Sequence, residues 1–388
     1  MERVIVPLLG STFYHISSFI VIMSFIATFG FTKAFLDTVA GRWSDKIGRR
    51  PVLVLGWLLG IPIPFMLIYA PDWGWVVLAN VLMGFNQALS WTMTVTSKVD
   101  IVGPKNRGLA LGINEFSGYI GQASGILITG FLAASFGLRP IPFYFGLATV
   151  ILGLIFSVLL AQETVGYTRL EEGGSRNNLS ANSGSERTSS QPSSFYEIFS
   201  LTSWRNKTLF SCCQAGLVEK FTDTLLWGGF PLLLVSRGID VVTMGLIVGS
   251  YEIVWGVSQL FTGALSDRIG RKLPILTGMW IMSLGLVLAA VENSIISLYA
   301  ASVITGFGMA LVYPVLLASV SDVALPSERG TSLGVYRFWR DSGYGFGAIL
   351  IGFVADAAGM VSAFYLCALA LFVSGLIAVG LMKETVQK

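Results

Sequence analysis

The sequence predicts an all-α membrane protein built from two copies of one helical bundle. Three observations carry that prediction: an apolar composition, long uninterrupted apolar runs, and an internal repeat at one fixed offset. The chain of 388 residues is 54% hydrophobic and 12% charged, with a mean hydropathy of +0.72. Soluble domains carry about 25% charged residues, so this composition belongs in lipid.

A membrane-spanning helix needs about 20 apolar residues. Runs of that kind occur at 17–40, 51–70, 73–97, 109–136, 139–161, 208–234, 241–262, 273–291, 294–320, 331–354 and 360–382. They predict eleven spans. The runs are too long and continuous for barrel strands, which alternate apolar and polar residues over about ten positions. Orientation follows from Lys and Arg in the connecting loops. Eighteen of the 25 cations fall in loops and tails on one side, and only Arg3, Arg139 and Arg237 on the other, which makes the first side cytoplasmic. The four others, Lys33, Lys220, Arg337 and Arg340, lie within spans.

The repeat has an offset of 222. It carries Gly41, Ser44, Asp45, Ile47, Gly48 and Arg49 of "GRWSDKIGRR" onto Gly263, Ser266, Asp267, Ile269, Gly270 and Arg271 of "GALSDRIGRK". It also carries "GFNQA" at Gly84 onto "GFGMA" at Gly306, and Asp100 and Arg107 onto Asp322 and Arg329. One register kept over so many positions marks a duplicated unit. The expected organisation is a first bundle over 1–161, a flexible cytoplasmic linker over 162–205, and a second bundle over 206–388. Eight of the twenty residues from Ser175 to Ser194 are serine, too polar a segment to fold alone. The stretch from Phe195 has the pattern of a segment lying on the membrane surface.

The sequence G-x-x-x-D-[KR]-x-G-R-[RK], present after the second helix of each half, resembles the signature loop of the major facilitator superfamily. The resemblance covers nearly the whole chain. It implies two six-helix bundles that rock about a central site near the bilayer midplane. Twelve helices are then expected where eleven are visible. "PLLG" at Pro7 resembles "PLLL" at Pro231, which implies that the counterpart of about 206–226 lies before Met1 and that only the outer end of the first helix is present. The family's antiporter pattern, G-P-x-x-G, is not found in "INEFSGYIGQASGILITG", and the position of its fourth-helix arginine is Asn80. In the family, the loop acid, here Asp45, faces the N-terminal end of the eleventh helix when the cytoplasmic side is closed, with Asp267 in a similar place in the second half. Such a contact suits a helix dipole.

An ionisable side chain in a span costs about 2.5–3.5 kcal/mol and marks a partner or a purpose. On the eleventh span Arg337, Arg340, Asp341 and Tyr344 share one helix face, and on the second Lys33 and Asp37 stand at i and i+4. The family architecture packs these two spans together. At about 1.5 Å per residue, Asp37 matches Arg337 in depth and Lys33 matches Asp341, with opposite signs at both levels. This predicts a cytoplasmic gate of Lys33, Asp37, Arg337 and Asp341; the alternative is that each helix pairs its own charges. Glu219, Lys220, Asp223, Glu252, Arg340 and Glu115 are the substrate or proton candidates, and Lys220 could serve structurally, paired with Glu219 or Glu252. Amide and aromatic residues such as Gln87, Trp91, Gln122, Trp227 and Tyr313 are candidate cavity walls.

The expected activity is secondary transport of a small solute by alternating access, with proton coupling open. The competing expectation is a non-transporting receptor or scaffold that keeps the fold. No cofactor, metal site or nucleic-acid partner is expected. The three cysteines lie in apolar runs, His15 is the sole histidine, and there is no phosphate-binding G-x-x-x-x-G-K-[ST] loop. The expected partners are a small-molecule substrate and the lipid bilayer of a plasma or inner membrane, with a monomer as the working state.

Overall fold

A computed structural model describes residues 2–102, 107–164, 166, 194–325 and 328–386. Its helices in the first repeat are α1 (Glu2–Leu8), α2 (Phe19–Ile47), α3 (Arg49–Gly60), α4 (Pro62–Tyr69), α5 (Trp73–Val102), α6 (Arg107–Phe136) and α7 (Ile141–Leu159). The short α8 (Phe195–Ser200) leads to the second repeat: α9 (Lys207–Thr224), α10 (Phe230–Ser236), α11 (Val241–Ile269), α12 (Lys272–Val291), α13 (Ile295–Val323), α14 (Arg329–Ala358) and α15 (Met360–Leu381).

Helix ends are set by side chains that the sequence supplies. Ser18, Asn206, Asp240 and Ser294 cap α2, α9, α11 and α13 by accepting backbone N–H bonds in the first turn. The long helices α2 and α11 stop at Gly48 and Gly270, with φ of 102° and 99°, a region that disfavours any residue with a Cβ. The two halves of the repeat thus end these helices by the same device.

Among the described residues, eight segments are apolar and long enough to cross a membrane. Three of the eleven expected spans, α5, α9–α10 and α14, fall outside that set. Their amides and charges face the protein interior, so composition understates them. The predicted span 208–234 is interrupted by a π-helical turn at Leu225–Gly229, and 51–70 is divided at Ile61, where Pro62 opens α4. Exposed apolar side chains such as Phe131, Leu159, Phe261, Phe353 and Leu369 cover the outer faces, as lipid requires. The molecule is an integral, multi-pass membrane protein.

The repeats meet along two seams, α2 against α14 and α6 against α11. Glycines bring the backbones together: Gly30 lies against Tyr344, Gly345 against Phe31, Gly352 against Ile20, and Gly130 against Gly245. Small residues at helix crossings are the usual route to close packing in membranes. At the outer end of the first seam Asp356 of α14 accepts bonds from Ser18 Oγ at 2.7 Å and Ile20 N at 3.1 Å, capping α2 from the other repeat.

α1, the stretch expected to be the outer end of the first helix, packs inside the bundle with Glu2, Val4, Ile5 and Val6 buried, so that Arg3, counted with the outer-side loops, departs from expectation. The segment from Phe195 docks on α14, where Trp339 Nε1 donates to Ser203 Oγ at 2.9 Å, while Tyr196 and Trp204 stay exposed.

Candidate functional site

Two polar regions stand out, one at the end of the helices that the charge bias assigns to the cytoplasm and one in the core. At that end, Arg49 at the start of α3 reaches Asp100 of α5 through Nε at 3.1 Å and Ser44 of α2 at 2.5 Å. Its backbone N–H and that of Arg50 donate to Glu163 at 2.9 and 3.2 Å, and Thr164 Oγ1 donates to Asp100 at 2.9 Å. The second repeat reproduces the arrangement. Arg271 reaches Asp322 at 3.1 Å and Ser266 at 2.6 Å, while the N–H groups of Arg271 and Lys272 donate to Glu384 at 2.8 and 3.1 Å, and Thr385 donates to Asp322 at 2.9 Å. Each clamp ties three helices and the tail of the bundle's last helix to one arginine.

The signature-loop residues divide accordingly. Gly48, Arg49, Gly270 and Arg271 form the clamps, Asp267 pairs with Arg271 at 2.6 Å, and Gly263 lies within α11. The side chains of Asp45 and Arg42, and position Gly41, lie outside the described residues. Glu163 and Glu384 were not singled out in the sequence, yet "ETV" begins at both. Their offset is 221, one residue out of register with the repeat, which hides the match.

In the core, acids and bases alternate in a continuous chain. Glu252 meets Arg3 at 3.0 Å, Arg3 meets Asp223 at 2.5 Å, Asp223 meets Lys220 at 2.9 Å, and Lys220 meets Glu219 at 3.8 Å. Glu219 meets Arg340 at 3.2 Å, Arg340 meets Asp341 at 3.0 Å, Asp341 meets Lys33 at 2.5 Å, and Lys33 meets Asp37 at 2.8 Å. Tyr344 donates to Asp223 as well. Buried charges are tolerated only when paired in this manner. The chain crosses between repeats at Arg3 and at Lys33–Asp341.

Several pairings differ from the sequence-based expectation. Lys33 and Asp341 do meet across the seam, but Asp37 does not pair with Arg337. Lys33, one turn before Asp37 on α2, reaches both carboxylates, and Thr92 donates to Asp37 at 3.2 Å. Among the described residues Arg337 makes no ion pair, although it lines a small cavity of about 20 Å³ with Asp37. Glu252 is held by Arg3 instead of Lys220. Glu115 lies apart from the chain, accepting from Tyr313 at 3.3 Å and Asn114 at 3.2 Å.

Arg3 is the residue that sequence reasoning placed wrongly. It was assigned to the outer surface, whereas its guanidinium lies in the core, over the ring of Trp227 at 5.2 Å. The signal was present: matching Pro7 to Pro231 carries Arg3 onto Trp227, inside the seventh span.

A cavity of about 240 Å³ lies between the repeats, and both contribute to its wall. From the first repeat come Arg3, Lys33 and Gln122, and from the second Lys220, Arg340 and Asp341. Aromatic rings complete it, with Trp91 and Tyr119 on one side and Trp227 and Tyr344 on the other.

Two helical repeats enclosing a polar chamber at their seam define a class: multi-pass membrane proteins with an internal two-fold. The sequence profile of the Major Facilitator Superfamily matches residues 1–218 and again 208–388. The chain belongs to the Major Facilitator Superfamily. The fold is similar to that of the inward-open xylose transporter XylE from E. coli, with a TM-score of 0.75 and 14% identity over 100% of this chain and 94% of that one. Among curated proteins, Multidrug resistance protein 1 of Bacillus subtilis is 24% identical across 85% of this chain and 79% of its own length. A probable hexose phosphate transport protein of Chlamydia pneumoniae is 23% identical over 47% of this chain, and an uncharacterized MFS-type transporter of Methanocaldococcus jannaschii 27% over 39%. Each of these last two matches spans 40% of the relative's length.

Proposed function

We propose that the protein is a secondary transporter that carries a small solute by alternating access, with the chamber between the repeats as its binding site. The observation that carries this reading is a buried, charged cavity whose wall is drawn from both repeats. Rocking of one bundle on the other would change the access and the charge pairing of such a wall together. In this reading 1–161 and 206–388 move as units joined by 162–205, and the Lys33–Asp341 pair is the gate that must part. The size of the cavity favours a metabolite: drug-sized ligands occupy pockets of about 300–1,000 Å³.

The charge chain also bears on coupling. Its acids, Glu252, Asp223, Glu219, Asp341 and Asp37, outnumber its bases, Arg3, Lys220, Arg340 and Lys33, by one. A proton or a cation that neutralises the surplus would lower the cost of moving the chain through its unpaired state. The names of the relatives, which include multidrug resistance and hexose phosphate transport proteins, support the transporter reading.

The test is flux in proteoliposomes holding the purified chain, with radiolabelled sugars, carboxylates, amines and phosphate esters, at imposed pH gradients. Solute-specific uptake that a pH gradient accelerates is the expected result. Ligand-induced thermal stabilisation without flux of any solute would transfer the site to the receptor reading.

A further inference from the structure

The cavity presents its charges unevenly, and the unevenness selects a solute. Four cations line it, Arg3, Lys33, Lys220 and Arg340, against two acids, Glu2 and Asp341. The carboxylates that balance these cations, Glu219, Asp223 and Glu252, are fully buried and stand behind them, off the cavity wall. Because Coulomb energy falls with distance, a solute in the chamber meets the cations first. The surplus acid of the chain does not reverse this, since its two ends, Glu252 and Asp37, also lie off the wall.

Asp341 is the exception among the chain's carboxylates. It faces the chamber and takes Lys33 of the first repeat at 2.5 Å and Arg340 of its own at 3.0 Å. An ammonium and a guanidinium converging on one carboxylate form a receptor for a carboxylate or phosphate group. Trp91 and Tyr119 offer flat apolar surface beside it, and the carboxylate of Glu2, buried without a hydrogen-bond partner on the same wall, offers an acceptor.

We infer that the chamber takes a small organic anion, a carboxylate or phosphate monoester with a flat hydroxyl-bearing body, and that Asp341 competes with that anion for Lys33 and Arg340. The inference rests on the transporter reading of the same cavity. The solute's anionic group displaces Asp341 from Lys33, which parts the link between the repeats. Binding and gate release are then one event, because the ligand and the gate compete for the same ammonium.

The full chain in lipid nanodiscs tests this with four ring compounds of similar size: 4-hydroxybenzoate, 4-hydroxyphenyl phosphate, 4-hydroxybenzylamine and 4-hydroxybenzyl alcohol. Thermal unfolding and calorimetry read binding. At least one of the two anions raises Tm, and which one distinguishes carboxylate from phosphate; the amine does not. Lys33→Gln weakens the anion by about tenfold or more, and Asp341→Asn, which removes the resident competitor, tightens it by about tenfold. Gain of affinity in Asp341→Asn cannot arise from misfolding, so it holds even if Lys33→Gln folds poorly. Stabilisation by the amine, or weaker anion binding in Asp341→Asn, overturns the proposal. If neither anion binds to either protein the anion class falls. Flux of a neutral or cationic solute in that event keeps the transporter reading standing, whereas absence of all binding and flux removes both.

Discussion

The two cytoplasmic clamps and the central charge chain use the same residue types, yet the clamps are duplicated and the chain is not. Arg49 and Arg271 hold equivalent aspartates, serines and glutamates in the two halves. The chain has no such symmetry: the repeat sets Lys33 opposite Trp255, Asp37 opposite Gln259, Arg340 opposite Gly118 and Asp341 opposite Tyr119. Duplication preserves what each bundle needs in order to fold. Departure from it concentrates where the bundles face each other, where the proposed gate would need opposite charges on its two sides. The clamps therefore read as scaffold and the chain as working part.

The largest expected effect falls in the chain. Arg340→Gln leaves Glu219 and Asp341 buried without their guanidinium, and removal of one partner from a buried pair costs about 3–5 kcal/mol. Unfolding in detergent, followed by tryptophan fluorescence, should show that loss. The double variant Glu219→Gln with Arg340→Gln should be less destabilised than the sum of its singles, since Glu219, left with only Lys220 at 3.8 Å once Arg340 is gone, is itself removed. Additive losses would show that the two residues act independently and would dissolve the distinction between chain and clamp.

Much of the fold was legible because lipid imposes long apolar runs; the seam came from the family resemblance, and residue count then matched depths along it. Lys33 and Asp341 were matched in that way. Asp37 and Arg337 were matched by the same rule and do not pair, since depth says nothing about the reach of a lysine one turn away on the same helix. Arg3 was misplaced because its place beside an apolar run, which looks the same at a surface and in a core, was weighed without the Pro7–Pro231 match that carries it onto Trp227. Hydropathy understates α9–α10 and α14 because their polar residues face the protein interior, where Lys220, Arg340 and Asp341 line the chamber and Glu219 and Asp223 are buried off its wall. Glu163 and Glu384 escaped notice because one residue of slip separates them from the repeat register.

The next prediction concerns the clamp of the first repeat. Arg49 and Asp100 are both buried, with side chains 7% and 4% exposed. Asp100→Asn removes the charged acceptor for Arg49 and for Thr164, and bonds to charged groups contribute about 1.5–3 kcal/mol. A scaffold role requires that Tm fall while solute affinity, measured at a temperature where the variant is folded, stays within about twofold. A tenfold change in affinity with no change in Tm would move the clamp into the working part.

The smallest effect belongs to the clamp of the second repeat, which shares the geometry but not the burial. Asp322 is 29% exposed in its side chain, against 4% for Asp100, so water competes for Arg271. Asp322→Asn should cost less than about 1 kcal/mol, the range of exposed pairs. Acid sensitivity gives a second reading of the same clamp. Burial works against the charged form of Glu384, but N–H donors from Arg271, Val386, Lys272 and Thr385 together outweigh it and hold its carboxyl below the ordinary value of 4.5. A carboxyl lowered in the folded state stabilises above its unfolded pKa and loses that contribution as pH falls through the folded one. The stability that Glu384 supplies should therefore be complete above about pH 5 and decline below about pH 4.5. Glu384→Gln should flatten that acid limb and leave stability near pH 7 slightly reduced. An unchanged acid limb in Glu384→Gln would show that the second clamp contributes nothing beyond what the buried first clamp already supplies, and that duplication outlasted its use there.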